Sequence, residues 1–302
     1  MIEIKGLVKD FDGFRALKGI DMTVGSGSIY GLVGTNGAGK TTILKLIAGV
    51  LNPDGGTVRI GGHPISDEVA AKDSMAFIPD DLSFFSAYNI KEAANLYAGL
   101  YSRWNGSLLE KIVTEFGLPY KVKISKFSKG MRKQAVFALS LATMPDYLLL
   151  DEPIDGLDPI MRKKIWEYIV GASADRGMTT LVSSHNLREM EGFCDTIGVI
   201  DHGEMKLERE LDDLTSDTHK LQVSFGEPSK RPDGAYDALD VRQLSSTGSV
   251  DHLIVKGGRE ALVRWRDENR PLIFDMVPMS LEEVFVYELG GGSDVTYTII
   301  GR

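Results

Sequence analysis

A single cysteine, Cys194, in a chain of 302 residues leaves no partner for an intrachain disulfide. Nothing therefore points to an oxidising compartment, and a reducing cytosol is the expected setting. Long apolar runs are lacking as well. The most hydrophobic stretches, 41–51 and 135–144, fall well short of the ~20 residues that span a bilayer, and both carry an amphipathic helical pattern. The opening segment 1–7 mixes charged and apolar residues and has no signal-peptide core. A basic excess is missing too: 34 Lys and Arg face 43 Asp and Glu, a net charge of -9, and the stretch 216–302 holds 10 basic against 14 acidic groups. Neither part is a basic module, so nonspecific nucleic-acid binding is not expected and a polyanionic ligand needs a local site.

What is present is the composition of a folded globular chain, 43% hydrophobic and 25% charged, long enough for one large domain or two ordinary ones. Short apolar runs at 2–4, 28–33, 147–150, 179–183 and 196–200 predict strands, with helical patterns at 41–49, 129–143 and 159–173 between several of them. That alternation predicts an α/β body, a mostly parallel sheet covered by helices. The stretch from about 85 to 145 is nearly all helix-like and reads as a helical insertion. After Leu214 a polar connector, 215–218, precedes short strands at 221–225, 241–244, 253–255 and 272–276 and a helix at 259–268. Ser280 and Glu283 have the spacing of a capping box that opens a last helix to about Glu288. A small C-terminal α+β domain over 216–302 is the expectation, ending in a loose tail from Gly290, and no repeat of 20 to 50 residues is evident.

Gly34, Thr35, Asn36, Gly37, Ala38, Gly39, Lys40 and Thr41 fit the pattern G-x-x-x-x-G-K-[ST] between a predicted strand and a predicted helix. The glycines let the loop curl so that backbone N–H groups point inward, and the helix dipole adds positive potential for phosphate oxygens. Lys40 is placed to reach the β- and γ-phosphates, and the Thr41 hydroxyl to bind Mg2+. The acidic counterpart follows four apolar residues, Tyr147 to Leu150. Asp151 at the strand end would meet the metal through water, and Glu152 would polarise the water aimed at the γ-phosphate.

In these residues the chain resembles the nucleotide-binding subunit of an ATP-binding cassette (ABC) transporter, over roughly residues 1–215. The family signature corresponds to Phe127, Ser128, Lys129, Gly130 and Met131, followed by Arg132, Lys133 and Gln134. Gly156, Leu157 and Asp158 match the D-loop, and Ser183, Ser184 and His185 match the switch-histidine loop. The resemblance implies a P-loop NTPase of the ABC ATPase type with a helical subdomain, hydrolysing ATP with Mg2+. It implies that Phe11 stacks on adenine, that Thr42 joins the P-loop residues at the nucleotide, and that Glu152, His185 and Lys40 carry the chemistry. Ser128 and Gly130 would face the nucleotide of a second ABC ATPase subunit, in a homodimer or heterodimer, and Asp158 is implied to be a nucleotide-binding residue as well.

Two departures from the family pattern stand out. Lys129 and Met131 replace the usual Gly and Gln, and Asp80 replaces the glutamine that serves the metal or the lytic water. Asp80 is expected to reach Mg2+ through water, together with Thr41 and Asp151. The ending at 279–285 resembles single-domain bacterial subunits of the drug, peptide and bacitracin-type export branch. The implied partners are separate transmembrane permease subunits that hold the chain at the cytoplasmic face of the cell membrane. They would dock near residues 80–104, where Phe84, Phe85 and Tyr88 read as exposed. A soluble cassette ATPase that remodels ribosomal or nucleic-acid complexes is the alternative. Its relatives carry two cassettes or a long coiled-coil insertion, and neither is found here.

Overall fold

The computed structural model describes residues 1–64, 69–82, 87–211, 218–227, 231–277, 279–281 and 283–284. Their contacts form two compact units, Met1–Glu208 and a second that begins at Arg209. In chain order the first holds β1 (Ile2–Phe11), β2 (Phe14–Val24), β3 (Ile29–Val33), α1 (Lys40–Ile47), β4 (Gly55–Ile60), β5 (His63–Pro64), α2 (Val69–Asp73) and β6 (Met75–Ile78). It continues with α3 (Ile90–Leu100), α4 (Gly106–Glu115), α5 (Lys129–Ala142), β7 (Tyr147–Asp151), α6 (Pro159–Arg176), β8 (Thr179–Ser184), β9 (Thr196–Asp201) and most of β10 (Glu204–Glu210).

All five side chains of β3 are buried, as expected of a parallel strand covered on both faces. It pairs in parallel with β8 and β9, and β7 joins β8 to β6. The resulting order, β10-β9-β3-β8-β7-β6, carries the ends of β3, β7 and β8 to one edge, where ligand crevices of such sheets lie. The predicted strands and helices of this body are present, with bounds shifted by at most a few residues.

A second sheet was not anticipated from the sequence. Strands β1, β2 and β4 with β5 form an antiparallel sheet in the order β2-β1-β4-β5, where only a strand at 2–4 is predicted. Its pairing slips at bulges beside Leu7, Val8 and Asp10, and Gly6 sits at a φ of 56°. Each slip reverses the inside-outside alternation, so no clean period of two survives in the sequence. Ile2, Leu7, Leu17 and Val58 of this sheet share one core with Ile43, Leu44 and Ile47 of α1 and with Leu32, Leu149 and Leu181 of the parallel sheet. Burial of each such side chain contributes roughly 1.5–3 kcal/mol, and this core clamps α1 in place.

Between β6 and β7 the described residues are helical, as the sequence implies. Asn89 caps α3 in a capping box with Glu92, and Asn105 caps α4. From Lys133 to Ala142 every residue of α5 is buried. Phe84 and Phe85 lie outside the described residues. Tyr88 is half-buried.

In the second unit β11 (Thr218–Ser224), β12 (Asp240–Thr247), β13 (Val250–Lys256) and β14 (Ile273–Val277) form an antiparallel sheet ordered β12-β13-β11-β14, with α7 (Arg259–Asn269) between β13 and β14. This is the strand order of a ferredoxin-like unit, with turns at 233–238 where its first helix would stand. Leu221, Val223, Leu253 and Val255 pack on Leu262 and Trp265 of α7. Asp251 accepts hydrogen bonds from Ser246 Oγ (2.6 Å), Tyr236 OH (2.7 Å) and Arg231 Nη1 (3.2 Å). The predicted capping box is formed, with Ser280 N donating to Glu283 Oε2 (3.0 Å) and Glu283 N to Ser280 Oγ (3.3 Å). The connector at 215–217, residues 282 and 285–288 of the helix expected to reach Glu288, and the tail from Gly290 lie outside the described residues.

Candidate nucleotide site

The loop 34–39 leaves the end of β3 and enters α1. Gly34 N donates to Ser184 O (3.3 Å) and Ala38 N to Thr35 O (3.1 Å), which anchor the loop to β8 and curl it on itself. Two glycines have steric reasons. A Cβ on Gly34 would lie 2.3 Å from Ile200 O, and Gly39 has a φ of 115° with Leu17 Cδ2 2.7 Å from where a Cβ would stand. No side chain caps α1 at Gly39, so the amides of its first turn are left for an external acceptor. An anion fits that position, and the loop tip at Asn36 and Gly37 is exposed to receive it.

Lys40 opens α1 and is only 6% exposed. Its ammonium donates to Gly34 O (2.7 Å) and Thr35 O (3.1 Å) and faces Glu152 Oε1 at 3.4 Å, an ion pair outside hydrogen-bond geometry. Exposed Thr41 donates its hydroxyl to Asp151 Oδ2 at 2.7 Å, and Thr42 is half-buried beside it. Asp151 ends β7 almost fully buried, and its other oxygen accepts from Ser183 Oγ at 2.7 Å. The hard oxygen donors of Thr41 and Asp151, beside a loop shaped for phosphate, suit Mg2+. Among the described residues no cluster of three or more His, Cys, Asp or Glu side chains could hold a metal ion.

Glu152 has a φ of 49°, a left-handed conformation that is uncommon for a residue with a Cβ. Its N–H points at Ser183 Oγ (3.1 Å) and Ser183 O (3.2 Å), and its carbonyl accepts from Lys133 Nζ. Its carboxylate lies between two partners, with Oε2 2.9 Å from His185 Nδ1 and Oε1 toward Lys40. The structure thus brings Lys40, Thr41, Asp151, Glu152 and His185 together from α1 and the ends of β7 and β8.

Other expected residues lie elsewhere. Ser128 caps α5, its Oγ accepting from Met131 N (3.2 Å), and Gly130 packs against Leu157 and Gly156 of the D-loop. Asp158 caps α6 through Ile160 N and Met161 N, both 3.1 Å. Among the described residues no polar contact joins Ser128, Gly130 or Asp158 to the loop 34–41 of the same chain. Phe11 is 40% exposed at the tip of the β1–β2 hairpin, opposite Phe14, with the Lys9 ammonium 5.4 Å from its ring centre. Asp80, expected near a metal, has Oδ1 3.1 Å from Lys133 Nζ.

Three residues to which the sequence assigns no individual role make direct contacts in or beside this site. Lys133 reaches both Asp80 and Glu152. Ser183 holds Asp151 and Glu152 together. Asp155 pairs with Lys129 at 2.6 Å, and the hydrogen bond from Lys129 holds its carboxyl below the ordinary aspartate value. The one available signal for Lys133 was a cation at the head of an otherwise apolar helical run.

The family model described as ABC transporter matches residues 17–155. The daunorubicin/doxorubicin resistance ATP-binding protein DrrA of Streptomyces peucetius is 36% identical over 224 residues, covering 71% of this chain and 67% of that protein. The chain belongs to the ATP-binding subunits of ABC transporters. Another member, the ABC transporter ATP-binding protein YtrB of Bacillus subtilis (strain 168), is 29% identical over 291 residues and spans 96% of this chain and 99% of its own. A solved structure of the ATP binding subunit of an ABC transporter superposes with a TM-score of 0.65 at 28% identity, over 71% of this chain and 91% of that one. Membership makes this ABC subunit an ATP-binding ATPase. No helix among its described residues is long and apolar enough to cross a membrane.

Proposed function

We propose that this ABC subunit hydrolyses ATP to power export through separate transmembrane permease subunits, closing with a second ATPase subunit around two nucleotides. The observation that carries the reading is the position of the Glu152 carboxylate between His185 Nδ1 and Lys40 Nζ, next to the phosphate loop. In this reading the loop amides of 34–39 and the start of α1, with Thr42, hold the phosphates, and Phe11 stacks on the base. Thr41 and Asp151 would hold Mg2+, which would neutralise phosphate charge. Glu152 takes a proton from water as the water oxygen bonds to the γ-phosphorus and the bond to ADP breaks. Lys40 and His185 stabilise the charge on the transferring phosphoryl group.

Ser128 and Gly130, at the head of α5, and Asp158 are separate from the loop of their own chain, which suits contact with the nucleotide of a second subunit. Closure then draws on contacts that both subunits make to ATP, and cleavage removes them. Export is supported by the drug-resistance relative. Contact with the permeases would fall near residues 80–104, where Leu96 and Leu100 of α3 are exposed, and would place the protein at the cytoplasmic face of the membrane. Glu152→Gln tests the scheme. Turnover of MgATP should fall by about 100-fold or more, and the variant should form an ATP-dependent dimer by light scattering. Unchanged turnover, or a monomer at saturating MgATP with no companion chain to pair with, would overturn it.

A further inference from the structure

Lys133 is the most deeply buried cation near the site, with its side chain only 4% exposed. It stands one helical turn after Lys129 on α5, yet the two behave differently. Lys129 lies in solvent beside Asp155, whereas Lys133 points inward. Its ammonium has Asp80 Oδ1 at 3.1 Å and donates to the backbone carbonyl of Glu152. A buried ammonium is retained only where partners compensate its lost hydration. Here one partner is a half-exposed carboxylate and the other is the peptide of the residue proposed as the base.

That peptide needs holding. Glu152 is a residue with a Cβ in the left-handed region, a conformation that persists only when its surroundings over-determine it. Ser183 of β8 takes its N–H, and Lys133 of α5 takes its C=O. Losing the second contact would free the peptide to rotate and carry the carboxylate away from His185. Asp80, just beyond β6, in turn faces the Lys133 ammonium at 3.1 Å and directs it.

We propose that Lys133 is a positioning residue for Glu152 and that Asp80 acts on hydrolysis as the counter-ion of Lys133 rather than at the metal. This rests on Glu152 being the base.

The test is a double-mutant cycle on the full chain, reading ATP turnover, KM for MgATP and half-saturation by Mg2+ for Asp80→Asn, Lys133→Met and the pair. Lys133→Met should lower kcat by about tenfold or more with KM little changed. Asp80→Asn should lower kcat with unaltered Mg2+ half-saturation, and the double variant should be no slower than Lys133→Met. Multiplying effects, a raised Mg2+ requirement in Asp80→Asn, or wild-type kcat in Lys133→Met would overturn the proposal. Should Lys133→Met fail to fold by circular dichroism, Asp80→Asn, at a half-exposed position, decides alone: reduced kcat at unchanged Mg2+ half-saturation supports the proposal, and wild-type kcat overturns it. Glu152→Gln separates the two ideas, since turnover that survives it removes the base itself, whereas a dead Glu152→Gln beside a fully active Lys133→Met removes only the positioning role.

Discussion

Ser183 donates its hydroxyl to Asp151 Oδ1 at 2.7 Å and, through the same oxygen, receives the N–H of Glu152 at 3.1 Å. One small side chain at the end of β8 therefore orients both acidic residues at the end of β7. Parallel pairing makes this possible, because it sets Asp151 directly beside Ser183 in the register of the two strands.

Replacing Ser183 with alanine should keep the fold and loosen the site. Loss of the hydrogen bond should lower stability by about 1 kcal/mol in urea unfolding. Turnover should drop about 10–100-fold with KM for ATP little changed, since the phosphate loop is untouched. Wild-type kcat in this variant would show that Asp151 and Glu152 do not depend on it.

Gly34→Ala should fail for a different reason. The new methyl would stand 2.3 Å from Ile200 O and 2.9 Å from Ile200 Cγ2, so the loop or β9 must shift. Overpacking of this kind costs about 1–3 kcal/mol, measurable by urea unfolding, and equilibrium titration with a fluorescent ATP analogue should show weakened binding. Gly37→Ala is the control for crowding: φ is also positive there, at 82°, but nothing lies within 4 Å of the added carbon. Its loss of stability should be the smaller.

Asp251 predicts a pH dependence confined to the second unit. Burial pushes its carboxyl up, but hydrogen bonds from Ser246, Tyr236 and Arg231 outweigh this and leave the group below the ordinary aspartate value. A carboxyl depressed in the folded state contributes stability in full above its unfolded value, about 3.9, and loses it as pH falls through the folded one. Hydrogen-exchange protection of β13 in wild type should exceed that in Asp251→Asn at pH 6, and the gap should close below about pH 4. A gap that stays constant on acidification would refute the assignment.

How far the sequence could be read depended on how local the signal was. The loop 34–41 is spelled by eight consecutive residues between a strand and a helix, and the apolar run before Asp151 marks a buried parallel strand without reference to anything distant. The antiparallel sheet of β1, β2 and β4 was opaque, because its bulges break the alternation that would reveal it. The ferredoxin-like order of the second unit was equally hidden, since short strands state their existence and not their neighbours.

The amino-acid sequence by itself determined the family, the phosphate loop and the identity of the acidic pair, since each is written in contiguous residues whose chemistry is their own. Only the tertiary structure decided that Asp80 meets Lys133, that Ser183 joins Asp151 to Glu152, and that the Glu152 carboxylate lies between His185 and Lys40. Those contacts link residues far apart in the chain, and their partners are selected by strand register and helix burial, which no local pattern encodes.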